Sequence, residues 1–170
     1  MENSNIIKMA RGIVKALSIL TLLLAGITAL TGVLALIFKE PVLDFLMKFV
    51  DKKEGVIISA KGLSFMSTEE VLIKTTLLVV SLFVLYYIFR LVRRLLDNLL
   101  VDKVFVIENV DLVKRTSYVV ALYSLLPVTS QTGVTLNVNI TMLIMAFIVW
   151  IFSQVLAKAN AIAEENEFTI

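Results

Sequence analysis

From Thr116 to Ala157 the chain runs 42 residues without an Asp, Glu, Lys or Arg. In water such a run would have to be buried whole, and 170 residues offer too little else to bury it under. A bilayer removes the difficulty. Its hydrocarbon core of ~30 Å takes about 20 apolar residues per helix at ~1.5 Å each. The run therefore holds two crossings and a loop. A second uncharged run, Ala16 to Phe38, covers 23 residues, and a third, Val71 to Phe89, is interrupted by Lys74 alone. The 59% hydrophobic content is this pattern summed. The expected fold is an all-α membrane protein, one domain over residues 1–170. Its four transmembrane helices are expected at about 14–38, 71–92, 110–128 and 140–158.

The basic start with Lys8, Arg11 and Lys15 resembles a signal peptide, but the apolar run after it exceeds the ~7–15 residues of such a core. A retained helix is expected. Thr21, Ala25, Thr28, Ala29, Gly32 and Ala35 fall on one of its faces, where small side chains let backbones approach closely. That face suits a helix of the same chain or a dimer seam.

Residues 39–70 form the first outer segment. Pro41 suits the first turn of a new helix. Val42, Phe45, Leu46 and Phe49 then share a face, as in a short amphipathic helix. Val56–Ser59 and Leu63–Phe65 flank a turn and read as a hairpin, so a small extracellular cap is expected. Ser67 and Glu70 make a capping box, with Met66 and Val71 as its staple. Lys74 can snorkel outward. Val134 to Thr141 alternates strictly, which reads either as an outer strand or as the start of the fourth helix carrying Asn137 and Asn139. Ser153 and Gln154 are polar inside the last span and are expected to bond another helix.

Between the second and third spans lies the inner joint, residues 90–115. It holds six of the sixteen Lys and Arg: Arg90, Arg93, Arg94, Lys103, Lys114 and Arg115. Arg93 and Asp97 are spaced as an i,i+4 pair. Asn109 is expected to cap the third helix. With Lys8, Arg11, Lys15 and Lys158, ten basic residues fall on this side against six on the other, and every Arg is among the ten. The positive-inside rule then places both termini in the cytoplasm. The tail, 159–170, is helical at first and acidic at Glu164, Glu165 and Glu167.

The segment KVFVIENVDLVKRTSYV, residues 103–119, resembles the inner loop of a family of bacterial four-helix membrane proteins of unknown function. The ending ANAIAEENEFTI, residues 159–170, is similar to that family's ending. The correspondence falls on Phe105, Glu108, Asn109 and Val110, and on Glu164, Glu165, Asn166, Thr169 and Ile170. Asp111 stands where a basic residue is commoner, Val104 where Pro often precedes the Phe, and Phe168 where Leu is usual. The family is found mainly in Gram-positive bacteria, often encoded beside a very short helix-turn-helix regulator. The resemblance implies location in the bacterial cytoplasmic membrane and a membrane partner that sequesters or signals to that regulator. No activity is established for the family.

No catalytic constellation is legible. There is no Cys and no His, so thiolate chemistry and the commonest general base are absent. No Walker loop and no metal-binding motif occurs, and no cofactor is expected. The net charge of +2 argues against direct nucleic acid binding. No carboxylate sits within a span, which argues against proton-coupled transport. What remains is a cytoplasmic interaction face. Arg90, Arg93, Arg94, Lys114 and Arg115 stand opposite Glu164, Glu165, Glu167 and the terminal carboxylate. Phe168 and Ile170 are expected to cover apolar side chains near Phe105, making a weak latch, or else the tail simply ends the last helix. The expected function is non-enzymatic: a sensor or sequestering partner of a small transcription regulator. Two alternatives stay open, an immunity protein against a membrane-active peptide toxin and an accessory subunit of an exporter.

Overall fold

A computed structural model describes the backbone of residues 2–50, 67–130, 133–135 and 138–167, with side chains over most of these. Among the described residues, four helices carry the fold. They are α1 (Glu2–Val50), α2 (Thr68–Leu100), α3 (Ile107–Ser124) and α4 (Ile140–Glu167). Strands β1 (Val128–Ser130) and β2 (Gly133–Thr135) pair antiparallel between α3 and α4. Among the described residues, three helices are long and apolar enough to cross a membrane, over Ser4–Phe38, Thr68–Leu100 and Ile140–Asn166. The third expected span, 110–128, is corrected to the 18-residue α3, whose first nine residues include Glu108, Asp111, Lys114 and Arg115.

Burial is inverted relative to a water-soluble domain. Most of the side chains taken out of contact with the surroundings are small or polar, among them Ser18, Thr21, Ala25, Ser117, Ser124, Ala146 and Ser153, while the larger apolar Leu91, Val110, Leu112 and Val113 are buried near the joint. Large apolar side chains such as Leu23, Ile27, Phe83, Leu122, Phe147 and Phe152 are exposed. This is the arrangement lipid favours, because burying Leu against Leu gains nothing over burying it in acyl chains, whereas small residues bring backbones together. The buried hydroxyls are satisfied within their own helices. Thr21 donates to the Ser18 carbonyl at 2.9 Å, Ser117 to Lys114 at 2.7 Å and Ser124 to Ala121 at 2.6 Å. Ser153 likewise donates to the Trp150 carbonyl at 2.6 Å, and Gln154 Nε2 lies 3.4 Å from Ser153 Oγ. The expectation that Ser153 and Gln154 bond another helix is thus corrected; Ser153 is instead a fully buried packing residue.

The helices pack in sequence order, α1 on α2, α2 on α3 and α3 on α4. The small-residue face of α1 packs within the chain, against α2. Its buried or half-buried members are Ser18, Thr21, Ala25, Thr28, Ala29 and Gly32; Ala35, expected among them, is exposed. A Cβ at Gly32 would collide with the Thr75 side chain, so this is where the two backbones come closest. The Ser67 hydroxyl caps α2 by accepting from Glu70 N at 3.1 Å. The Glu70 carboxylate turns forward to Lys74 Nζ at 2.7 Å.

Two further expectations, at Pro41 and at Val134–Thr141, meet the structure, and the others fall on residues it does not describe. Pro41 does not begin a new helix, because α1 continues unbroken to Val50. An interior proline removes one helical hydrogen bond and crowds the carbonyl four residues back, at a cost of ~3 kcal/mol, and α1 nonetheless runs through it. The amphipathic face of residues 42–49, the hairpin of 56–65 and the Met66 staple lie outside the described residues or side chains. No separate cap over residues 39–70 is seen among the described residues. Of the alternating stretch, Val134 and Thr135 lie in β2, paired with Val128–Ser130, and the expected pairing with the 56–65 hairpin falls outside the described residues. Asn139 then caps α4, accepting from Met142 N at 3.1 Å, so the helix starts at Ile140.

The two halves differ in height. Thr75 lies 23 residues above Asn98 in α2, about 35 Å, whereas Ser124 lies 15 residues above Asn109 in α3, about 22 Å. Asn98 and Asn109 touch, so α3 stops roughly 12 Å below the Gly32–Thr75 contact. The strand pair stands in that step, with β1 against α2.

Candidate functional site

The inner joint is built on the end of α2. Asp102 takes a left-handed conformation at φ 58°. Its N–H bonds the Leu99 carbonyl at 3.3 Å, and the Lys103 N–H bonds the Asn98 carbonyl at 3.0 Å. These two bonds are those of a Schellman termination, with Asp where Gly is usual.

Asn109 is the centre of the joint. It was expected to cap α3, but Val106 stands at the cap position without a side-chain hydrogen bond, and Asn109 lies one turn in and 1% exposed. Its Nδ2 donates to the carbonyls of Lys103 at 2.6 Å and Val104 at 2.9 Å, and its Oδ1 accepts from Asn98 Nδ2 at 2.8 Å. One buried side chain therefore clasps the end of α2, the turn and the start of α3.

A second tie reaches α1. Arg11 Nε meets Asp97 Oδ1 at 2.5 Å, and Arg93 Nε approaches Asp97 Oδ2 at 4.0 Å. The Arg93–Asp97 spacing is therefore present, but Arg11 holds the shorter contact. Arg90, Arg94, Lys114 and Arg115 are exposed and make no ion pair among the described residues.

The joint also faces α4. A pocket of about 640 Å³ lies between Lys103–Ile107 and Ala157–Glu164. Phe105 and Ile107 on its rim are 57% and 72% exposed. The Asn160 amide atoms at this pocket are buried without a hydrogen-bond partner among the described residues. Glu108 is exposed on α3, and Glu164 and Glu165 are exposed on α4, with Glu164 lining the pocket. The Glu167 side chain and Phe168, Thr169 and Ile170 lie outside the described residues, so the expected latch contacts fall there too.

Of the expected interaction residues, the fold brings Phe105 and Glu164 to one pocket, and turns Asn109 inward as a structural clasp. Sequence reasoning missed Asn98, Arg11 and Asn160. Asn98 and Asn109 flank the loop at the ends of two helices, and that symmetry was the available signal.

No family model, curated protein or solved structure matches the chain.

Proposed function

We propose that the chain is an integral protein of the bacterial cytoplasmic membrane, with both termini cytoplasmic, and that its inner joint docks a protein partner. The partner fits a small helix-turn-helix regulator, as the resemblance of residues 103–119 and 159–170 implies. The protein would hold or release it in response to a signal at the outer side.

One observation carries the docking reading. Phe105 and Ile107 are exposed apolar side chains on a joint fixed by Asn109. They lie past Asn98, while the basic residues Arg94 and Arg90 lie about 6 and 12 Å on the other side of it, toward the apolar part of α2. If those arginines mark the headgroups, Phe105 and Ile107 stand in water, where such exposure suits a protein contact. The acidic tail at Glu164–Ile170 supplies a weak, releasable latch, since exposed ion pairs contribute only ~0–1 kcal/mol each.

The chain has no cysteine, so single cysteines report topology cleanly. A membrane-impermeant maleimide applied to intact cells should label a cysteine at Ser67 and spare one at Lys103. Pull-down from native membranes in mild detergent then tests the partner. A small DNA-binding protein should come down with the full chain, and be lost with Phe105→Ala/Ile107→Ala or a chain ending at Ala163. Recovery of a transporter or secreted peptide alike with all three would reject the regulatory reading.

A further inference from the structure

α1 and α3 attach to different faces of α2. Asp97 reaches α1 through Arg11, and Asn98 reaches α3 through Asn109. Consecutive helical residues point ~100° apart, so α1 and α3 are the walls of a groove with α2 as its floor. They make no extended contact with each other. Arg94 lies three residues before Asp97 and four before Asn98, and Arg90 lies one heptad before Asp97. Both arginines therefore project between the walls, and both are exposed.

The walls add to them. Lys15 is one turn from Arg11 on α1. Arg115 is six residues from Asn109, turned to the α1 side of α3. Each is exposed, and each lies at the height of Arg90–Arg94 within about two residues, or ~3 Å. Four cations thus face one space without an ion-pair partner among the described residues. The nearest carboxylates lie one turn toward the joint: Asp97, three residues from Arg94 and held by Arg11, and Asp111, four residues from Arg115 on α3. Toward the outer side the same groove turns apolar, with exposed Leu22 on α1, Phe83 and Tyr87 on α2 and Leu122 on α3.

Charge at one end and apolar side chains along the rest match the anatomy of one ligand. We propose that this groove holds an anionic phospholipid of the cytoplasmic leaflet. Its phosphate sits among Lys15, Arg90, Arg94 and Arg115, and its acyl chains lie over Leu22, Phe83 and Tyr87. Arginine forks suit phosphate oxygens, and the inner leaflet is where anionic headgroups attract such clusters. The inference rests on the membrane reading. It differs from a general basic collar in assigning the site to one side: Lys103, Lys114 and Lys158 lie outside the groove.

The test uses the full chain, purified in mild detergent, delipidated and offered phosphatidylglycerol or phosphatidylcholine. Retained lipid is read by native mass spectrometry. Phosphatidylglycerol should be retained at least about tenfold over phosphatidylcholine. Arg90→Gln/Arg94→Gln/Arg115→Gln should abolish that preference. Lys103→Gln/Lys114→Gln/Lys158→Gln, with the same charge change, should leave it within about twofold. Equal loss in both triple variants, or no preference in the parent, overturns the site. Displacement of the lipid by inorganic phosphate at equal concentration overturns the lipid assignment. Carbonate extraction of the parent separates the two readings: a chain released by carbonate refutes membrane insertion itself, whereas a retained chain without lipid preference refutes only the groove.

Discussion

The side-chain amide of Asn98 donates to that of Asn109 at 2.8 Å, and through this bond the end of one helix fixes the start of the next. Asn109 spends its own two N–H donors on loop carbonyls. Removing Asn109 therefore strands more groups than removing Asn98. Asn109→Ala is expected to cost about 2–4 kcal/mol and Asn98→Ala about 1 kcal/mol. Unfolding in bicelles measures both, and proteolysis within residues 101–106 should rise for Asn109→Ala first. Equal effects would show that the loop carbonyls do not depend on Asn109.

Gly32 and Gly26 make a matched pair on α1. A methyl group at Gly26 meets nothing within 4 Å, whereas at Gly32 it runs into Thr75. Gly26→Ala should be neutral or stabilise by up to ~1 kcal/mol through helix propensity. Gly32→Ala should force α1 off α2 and destabilise, because Thr75 is stiff at χ1. Adding Thr75→Ala should restore much of the loss. Thermal melts of the four proteins decide it, and a Gly32→Ala chain as stable as Gly26→Ala would remove this contact from the helix interface.

Asp102 holds a left-handed conformation that glycine adopts without strain. Asp102→Gly should stabilise by roughly 0.5–1 kcal/mol, and a β-branched Asp102→Val should cost at least 1 kcal/mol, since such residues are poorly tolerated there. The order of the midpoints, Gly above Asp above Val, is the readout.

Arg11 and Asp97 are paired but 44% and 38% exposed in their side chains. Asp97→Asn is therefore expected to cost no more than ~1 kcal/mol, and the loss should shrink as salt is raised. The reversed pair Arg11→Asp/Asp97→Arg should recover stability lost by either change alone. If neither single change depends on ionic strength, this contact does not help to set the α1–α2 register.

Hydropathy alone made three of the four helices legible, and the small-residue face of α1 correctly announced a partner helix. Local chemistry also read true at Ser67, whose hydroxyl bonds the N–H three residues on. What failed was non-local or a matter of boundary. Pro41 carries a start signal, yet α1 runs through it, so the proline acts as an interior residue of the helix and not as its first turn. Asn109 has the composition of a cap, yet its partner Asn98 lies eleven residues back across a turn, and only their symmetric placement about the loop points to that contact. The third span was expected to run to 128, up to the break at Pro127, but α3 already ends at Ser124. In the structure fifteen of the 42 uncharged residues, from Leu125 to Asn139, lie between α3 and α4.

On the membrane reading proposed above, the short third helix has a consequence for the surrounding bilayer. From Arg115 to Ser124 its uncharged part rises only about 14 Å, less than half the ~30 Å that hydrocarbon occupies around α1 and α2. Lipid beside α3 must thin, or the outer aqueous phase must dip toward Ser124. Either response carries a mismatch energy of a fraction of a kcal/mol per Å. The load falls on one flank only, so the molecule sits in its membrane as an asymmetric wedge, and thicker bilayers strain the α3 side first.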